Sequence, residues 1–155
     1  MLSKSERDFH RKAAARCFNE TWDYLDMKAR TKQDDERMLT LAHASRFHWG
    51  LVGSPRNTAV GDWQISRVYA ALKEPRLSLL FATTSLDTCK KEKLSEQLAP
   101  AYEGMARACA VSENYQSARK YARLARKQLD GLDLRSEEKK VYLDQIKDTE
   151  KLILR

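Results

Sequence analysis

The chain has 155 residues, of which 42% are hydrophobic and 33% charged, and its formal net charge at pH 7 is +7. This length suffices for a buried core, so we expect residues 1–155 to form one domain. Five Gly and three Pro are too few for the closely spaced turns of an all-β protein. The composition therefore predicts an all-helical fold, and the positive charge favours anionic partners only in a general way.

The cysteines and the N-terminus bear on the compartment in which the protein works. Cys17, Cys89 and Cys109 are odd in number and lie in apolar helical contexts, where a free cysteine behaves as a small hydrophobic residue. They predict reduced structural thiols in a cytoplasmic protein. The N-terminal residues lack the apolar run of a signal peptide. No stretch reaches about 18 consecutive apolar residues, so we expect no membrane partner.

Polar breaks divide the chain into seven predicted helices. The first follows a capping-box pattern, and Pro and Gly mark several later boundaries. Gly53 is expected to end the second helix in a left-handed conformation. The predicted starts lie at Ser3 with Glu6, Thr31 or Asp34, Asn57 or Thr58, Pro75 or Arg76, Ser95, Tyr115, and Ser136 with Glu137 and Glu138. The predicted ends lie near Ala29, Val52, Leu72, Lys90, Val111, Leu129 and the end of the chain.

The stretch from Leu39 to Ala71 contains two of the three Trp residues. Residues 39–52 are apolar or aromatic on almost every helical face, a pattern typical of a helix buried on several sides. We therefore expect the second helix at the centre of the fold, with Trp49 in the core. Trp63 has the polar neighbours Asp62 and Gln64 and is expected to be partly accessible.

Two segments of the chain repeat at an offset of 40 residues. At equivalent positions both carry small residues, which allow the two helices of a hairpin to approach closely. These small residues are Ser66, Ser78 and Ala82 in the first segment and Ala106, Ala118 and Ala122 in the second.

The second segment resembles a tetratricopeptide repeat. Its matching residues are Tyr102, Met105, Ala106, Cys109, Tyr115, Ala118, Ala122 and Ala125. The resemblance extends over about residues 60–130, although the period of 40 departs from the usual length of about 34. It implies a right-handed array of antiparallel helical hairpins. The central stretch also resembles small bacterial proteins of this helical type that have no settled function.

The resemblance also implies a binding groove. In tetratricopeptide repeats the first helix of each pair lines an inner groove, and the matching positions here are Trp63, Arg67, Glu103 and Arg107. Two Arg residues at equivalent positions could hold the carboxylate or phosphate of a ligand. We expect Arg67 and Arg107 to point into one groove on the side of Trp63. In the alternative interpretation Arg67 pairs with Glu103 and nothing binds.

Histidines are the candidate metal ligands. His43 and His48 are five residues apart, so their side chains diverge by about 140° on a helix and cannot share one ion. His10 could join a site only if the first helix brings it there. We therefore expect no metal and no cofactor. His43 and His48 could still contribute to a pocket with Asn57 and Gln64.

No Ser, Cys or carboxylate lies in a recognisable catalytic context, so we expect a protein that is not an enzyme. The leading interpretation is a cytoplasmic interaction module that binds a peptide or a small anionic ligand in the groove. A metal-dependent or hydrolytic enzyme built on His43 and His48 is kept as an alternative.

The sixth helix supports a second alternative, a nucleic-acid-associated or regulatory protein. It carries a basic face that could neutralise phosphates, although it lacks interleaved aromatic residues for base stacking. A solvated surface is the plainer interpretation of that face. Apolar residues of the seventh helix either cap the array or contact a second copy, so a homodimer stays open. The basic face comprises Arg119, Lys120, Arg123, Arg126 and Lys127.

Overall fold

The computed structural model describes residues 1–154, and within that range the chain forms seven α-helices and no strand. The all-helical prediction is thus confirmed. None of these helices is both long and apolar enough to cross a membrane. The helices are α1 (Lys4–Leu25), α2 (Lys32–Val52), α3 (Pro55–Ala71), α4 (Pro75–Lys91), α5 (Ser95–Val111), α6 (Tyr115–Asp130) and α7 (Ser136–Ile153).

Side-chain caps define several helix starts. Ser3 and Glu6 form the predicted capping box of α1, and Thr31 and Asp34 form that of α2. The helix α3 begins at Pro55, earlier than predicted, because Asn57 accepts a hydrogen bond from the Ser54 backbone N–H at 2.9 Å. Asn57 therefore caps from within the helix.

One predicted helix end is wrong, and so is the conformation predicted for Gly53, although α2 ends at Val52 as expected. The helix α1 ends at Leu25 instead of Ala29. Gly53 has an extended backbone (φ −91°) instead of a left-handed one, because the chain passes almost directly into α3. Glycine is needed there for space, since an added Cβ would lie 2.7 Å from the carbonyl oxygen of Trp49.

The helices form three consecutive hairpins, α1/α2, α3/α4 and α5/α6, and α7 packs against α5 and α6. The odd-numbered helices lie side by side: α3 contacts α5, α5 contacts α7, and α1 touches α3 only slightly. Within residues 1–154, the backbones of α1 and α7 are not packed against each other. The odd-numbered helices therefore form a surface that is open between α1 and α7.

The same turn recurs every 20 residues and sets the period of the array. Lys73, Lys93 and Glu113 adopt a left-handed backbone with φ of 58°, 55° and 61°. In each turn the next residue's N–H donates to a carbonyl five residues earlier at 2.9 Å, as Glu74 does to Tyr69. Such a bond closes a helix C-terminus. Because two helices and two turns make one repeat, the 40-residue offset follows.

The small residues of the repeat perform the expected packing. Ser66 and Ser78 are buried and exchange hydrogen bonds, since each hydroxyl donates to the other residue's carbonyl, at 2.8 and 2.9 Å. Their counterparts Ala106 and Ala118 are fully buried between α5 and α6. Close helix contact is thus made by polar groups in one hairpin and by methyl groups in the next.

The helices α3 and α5 occupy the centre of the fold. The expectation that α2 lies there is therefore wrong. Only Met38, Ala42 and Ser45 of α2 are buried, whereas Phe47 is 62% exposed. The predictions for the two Trp residues are also wrong: Trp49 is half-buried and Trp63 only 6% exposed. The reason is position in the stack, because α2 packs on α1 and α3 alone, while α3 has neighbours on several sides.

We expect Lys93→Gly to raise the free energy of unfolding by about 0.5–1 kcal/mol. A side chain makes the left-handed backbone less favourable by about 1–2 kcal/mol, so a Gly at this position removes that cost. The greater conformational freedom of Gly in the unfolded chain offsets only part of the resulting gain in stability. Urea denaturation measures the change. The control Lys12→Gly lies at an exposed position inside α1 and should instead lower stability by about 1 kcal/mol. Destabilisation by both variants would contradict the account of the turn.

Candidate functional site: a concave groove above a buried carboxylate

A concave groove of about 590 Å³ lies between α1 and α7, with α3 and α5 as its floor. This volume is within the range of about 300–1,000 Å³ that is common for ligand pockets. Its apolar surface includes Phe18, Trp22, Val60, Trp63, Val141 and Tyr142. Its charged residues are Asp26, Arg56, Arg67, Asp144 and Asp148.

Beneath the groove floor, Glu103 of α5 is only 1% exposed and accepts four hydrogen bonds. Its Oε2 receives the indole N–H of Trp63 at 2.8 Å. Its Oε1 receives a guanidinium N–H of Arg67 at 3.2 Å and the Nε–H of Arg107 at 3.0 Å. The hydroxyl of Thr149 also donates to Oε1, at 2.5 Å. We call these five residues the buried carboxylate cluster; they join α3, α5 and α7.

The cluster stabilises the charged form of Glu103. Burial by itself raises the pKa of this carboxyl group, but the positive charges of Arg107 and Arg67, with the hydrogen bonds from Thr149 and Trp63, more than offset it. The net result is a pKa below the ordinary value for glutamate. A buried ion pair of this kind contributes little net stability over an apolar substitute, yet removing one partner is costly because the other charge remains buried.

Arg67 connects this cluster to the aromatic surface of the groove. Its guanidinium carbon lies 5.2 Å from the ring centroid of Trp22 and 5.9 Å from that of Trp63. The two indole rings are themselves 5.7 Å apart. Gly104 allows this arrangement, because an added Cβ would lie 3.0 Å from Trp63. The aromatic floor is therefore held by a cation, a hydrogen bond and a close helix approach.

The walls of the groove carry most of its acidic groups. Asp26 at the end of α1 and Asp148 of α7 both lie close enough to Arg67 to act on its charge. Asp144 and Asp148 also form exposed ion pairs with Lys140 and Lys151 within α7. Such exposed pairs are weak, so these carboxylates can exchange partners at little cost.

The structure brings together all four groove residues that the resemblance implies. Only Trp63 and Arg67, however, lie on the groove surface. Glu103 and Arg107 lie in the buried cluster below. Arg67 and Arg107 converge on Glu103 beneath the groove, so the expectation that both point into the groove is wrong for Arg107, and Arg67 pairs with Glu103 as in the alternative interpretation. One terminal nitrogen of Arg107 is buried without a hydrogen-bond partner.

The four residues of the second predicted pocket do not come together in the groove. His43 lies 3.1 Å from the hydroxyl of Tyr69, and His48 contacts His10 on α1. Asn57 caps α3, and the buried Gln64 donates a hydrogen bond to the carbonyl of Phe18 at 2.9 Å. His43 and His48 therefore belong to separate clusters.

Most of the predicted basic face of α6 is exposed. Arg126 is the exception, because it forms two hydrogen bonds of 2.6 Å with Glu150 of α7. The exposed residues are Arg119, Lys120, Arg123 and Lys127. Their surface is distinct from the groove, whose lining includes no residue of α6.

Sequence reasoning missed the contributions of α1 and α7 to this site. Trp22 and Tyr142 are aromatic positions of α1 and α7 in the sequence, but nothing in the local pattern marks them as groove residues. Thr149 carried no signal, because a Thr in a charged helix is usually solvent-exposed. Only the folding back of α7 onto α5 shows their role.

No protein-family model, curated protein or solved structure matches the chain. The site is therefore interpreted from its own geometry. Among residues 1–154, no group of three or more His, Cys, Asp or Glu side chains is arranged to hold a metal ion.

We expect Glu103→Gln to lower the free energy of unfolding by about 3–5 kcal/mol, because Arg67 and Arg107 would be left buried without a compensating charge. Denaturant titration followed by circular dichroism measures the loss. The control is Glu150→Gln, which disrupts a partly exposed ion pair with Arg126. It should cost no more than about 1 kcal/mol. Equal losses in the two variants would contradict the central position of Glu103.

The same carboxylate predicts a pH dependence. Because the pKa of Glu103 is lowered on folding, its contribution to stability is complete above the ordinary glutamate pKa and is lost as the pH falls through the folded-state pKa. The stability difference between the parent chain and Glu103→Gln should therefore be largest above about pH 5 and shrink at lower pH. Denaturation curves measured from neutral to acidic pH test this. A difference that grows on acidification would contradict it.

Proposed function

We propose that the chain is a non-enzymatic interaction module that binds an extended peptide segment of a partner protein in the concave groove. The single observation that carries this proposal is the groove itself: an aromatic floor open between two helices whose backbones are not packed against each other. A peptide can enter such a groove along its length. An apolar side chain of the peptide would lie on the surface formed by Trp22, Trp63 and Tyr142.

The arrangement of charges favours a peptide over a small anion. The carboxylate of Glu103 occupies the space between Arg67 and Arg107 that an anionic ligand would need. The carboxylates of Asp26, Asp144 and Asp148 line the walls. We infer that the peptide carries a Lys or Arg close to its apolar anchor, since opposite charges across an interface favour association and register.

The rigidity of the floor supports a binding role. Trp63 is fixed by its bond to Glu103 and by Arg67, so it loses little conformational freedom when a ligand covers it. Binding to a preorganised surface avoids part of the entropic cost of ordering side chains.

The arrangement of the hairpins and the state of the cysteines also support the interpretation of the chain as a cytoplasmic interaction module. Three hairpins stack with their odd-numbered helices around one groove, which is the arrangement that the resemblance to tetratricopeptide repeats implies. Cys17, Cys89 and Cys109 are free thiols, and burial raises the pKa of Cys89 to about 11. Unreactive free thiols are in keeping with a reducing, cytoplasmic compartment.

Selection of peptides from a random library on the purified chain tests the proposal. We expect enriched sequences to pair an apolar or aromatic residue with a nearby Lys or Arg. Val141→Lys, at a 56% exposed groove position, should weaken their binding by at least about tenfold, because it places a charge on the apolar surface and repels the Lys or Arg of the peptide. Isothermal titration calorimetry with a selected peptide measures the change.

Leu80→Lys is the matched control, because Leu80 is 55% exposed on α4 and does not line the groove. It introduces the same charge at a similar exposure and should leave the affinity unchanged. Equal affinity of the parent chain and Val141→Lys would refute binding in the groove.

The exposed basic face of α6 favours nucleic acid as the second candidate partner. Arg119, Lys120, Arg123 and Lys127 present four cations on one helix. Polynucleotide binding that falls steeply with salt and is lost in Arg123→Glu would support this alternative, provided that Val141→Lys does not weaken it.

A further inference from the structure

Two glutamine side chains line the groove without a hydrogen-bond partner among residues 1–154. Gln97 of α5 is only 5% exposed, and Gln145 of α7 is half-buried. The Oε1 atom of Gln145 is buried and accepts no hydrogen bond. Apart from the bonds within its helix, Gln97 bonds only through its backbone N–H, which donates to the carbonyl of Leu94 at 3.1 Å. Both side-chain amides are therefore free to bind a ligand.

Neither of these amides supports the fold. The buried Gln64, by contrast, donates its side-chain N–H to the carbonyl of Phe18 at 2.9 Å. Gln97 occupies the third position of α5, from which a side chain can bond back to the residue before the helix, but α5 has no side-chain cap. Burying an amide without a partner is unfavourable. A ligand that bonds to Gln97 and Gln145 would remove this cost.

Gln97 and Gln145 lie on the same side of the groove and toward the same end of it. The helices α5 and α7 run in the same direction, because α6 returns the chain between them. The bond from Thr149 to Glu103 fixes their register. At 1.5 Å per residue, Gln97 precedes Glu103 by about 9 Å and Gln145 precedes Thr149 by about 6 Å. Both amides are thus displaced along the groove from the level of the buried carboxylate cluster.

We propose, on the basis of the peptide-binding function above, that Gln97 and Gln145 bind the main chain of the peptide through their side-chain amides. A carboxamide carries an acceptor oxygen and two N–H donors, so it can pair with the carbonyl and the N–H of a peptide backbone. An extended peptide advances about 3.3 Å per residue. The bonded peptide groups therefore lie about two or three residues from the side chain that covers Trp63.

Bonds of this kind select an extended peptide over a helical one. In a helical peptide the backbone N–H and C=O groups are already bonded to each other, whereas an extended segment leaves them free. The groove lining extends along α3 from Arg56 to Arg67, which is about 16 Å and matches about five extended residues. The two glutamines recognise the main chain, while the aromatic floor and the acidic walls recognise side chains.

Backbone ester substitution in a library-selected peptide tests the proposal. The probe is a selected peptide whose binding is weakened by Val141→Lys, and each of its peptide N–H groups in turn is replaced by an ester oxygen. Gln97→Met and Gln145→Met should each weaken binding about three- to tenfold, as expected for the loss of neutral hydrogen bonds. An ester two or three residues from the anchor should weaken binding to the parent chain by a similar factor. It should have no further effect in the double variant Gln97→Met/Gln145→Met.

Thermal unfolding of the free chain separates a binding role from a structural one. Gln97→Met removes no hydrogen bond within the protein, so its melting temperature should be at least that of the parent. Gln64→Met is the matched control, because it removes a buried amide that bonds to Phe18, and it should lower the melting temperature. Equal losses in Gln97→Met and Gln64→Met would overturn the assignment of Gln97 to the ligand.

The binding data distinguish failure of this proposal from failure of the proposed function. If Val141→Lys weakens binding but Gln97→Met and Gln145→Met bind as the parent does, main-chain recognition is overturned and peptide binding in the groove stands. An ester scan without effect at any position, or with the same effect in the double variant as in the parent, also overturns main-chain recognition. If no peptide binds in the groove, both proposals are refuted.

Discussion

A single buried carboxylate holds together the three helices that form the floor and one wall of the groove. Glu103 receives hydrogen bonds from α3, α5 and α7, and it lies where water cannot replace any of them. Removing a carboxylate from water is expensive, and the cost is compensated here by two guanidinium groups and two neutral donors. The position of Trp63 depends on this cluster, and the aromatic surface of the groove depends on Trp63.

The opposite wall is attached by other means. The helix α1 packs on α2, and it reaches α3 through the contact of Trp22 with Trp63 and the bond from Gln64 to Phe18. The groove thus has one wall tied to a charged core and another that rests on aromatic contacts and one backbone carbonyl. The His10–His48 pair joins α1 to α2.

The sequence by itself determined the parts of the fold that depend on interactions between residues close together in the chain. Capping boxes, the proline at the start of α4 and polar breaks located all seven helices, because they act on neighbouring backbone groups. The 40-residue repeat also came from the sequence, since the left-handed turns at Lys73, Lys93 and Glu113 recur with it. The convergence of Arg67, Glu103 and Arg107 was predicted in outline, because equivalent positions of stacked hairpins become neighbours.

Burial and partner choice were decided only by the tertiary structure. The helix α2 is the most continuously apolar stretch, yet it leaves Phe47 exposed, while the polar-flanked Trp63 is buried. The hydrophobic pattern of one segment shows which of its faces can be buried. The number of neighbouring helices determines how much of its surface is buried. The return of α7 onto α5 and the pairing of His10 with His48 depend on contacts between residues 46 and 38 positions apart. No local signal encodes such distances, because they arise from the packing of the whole stack.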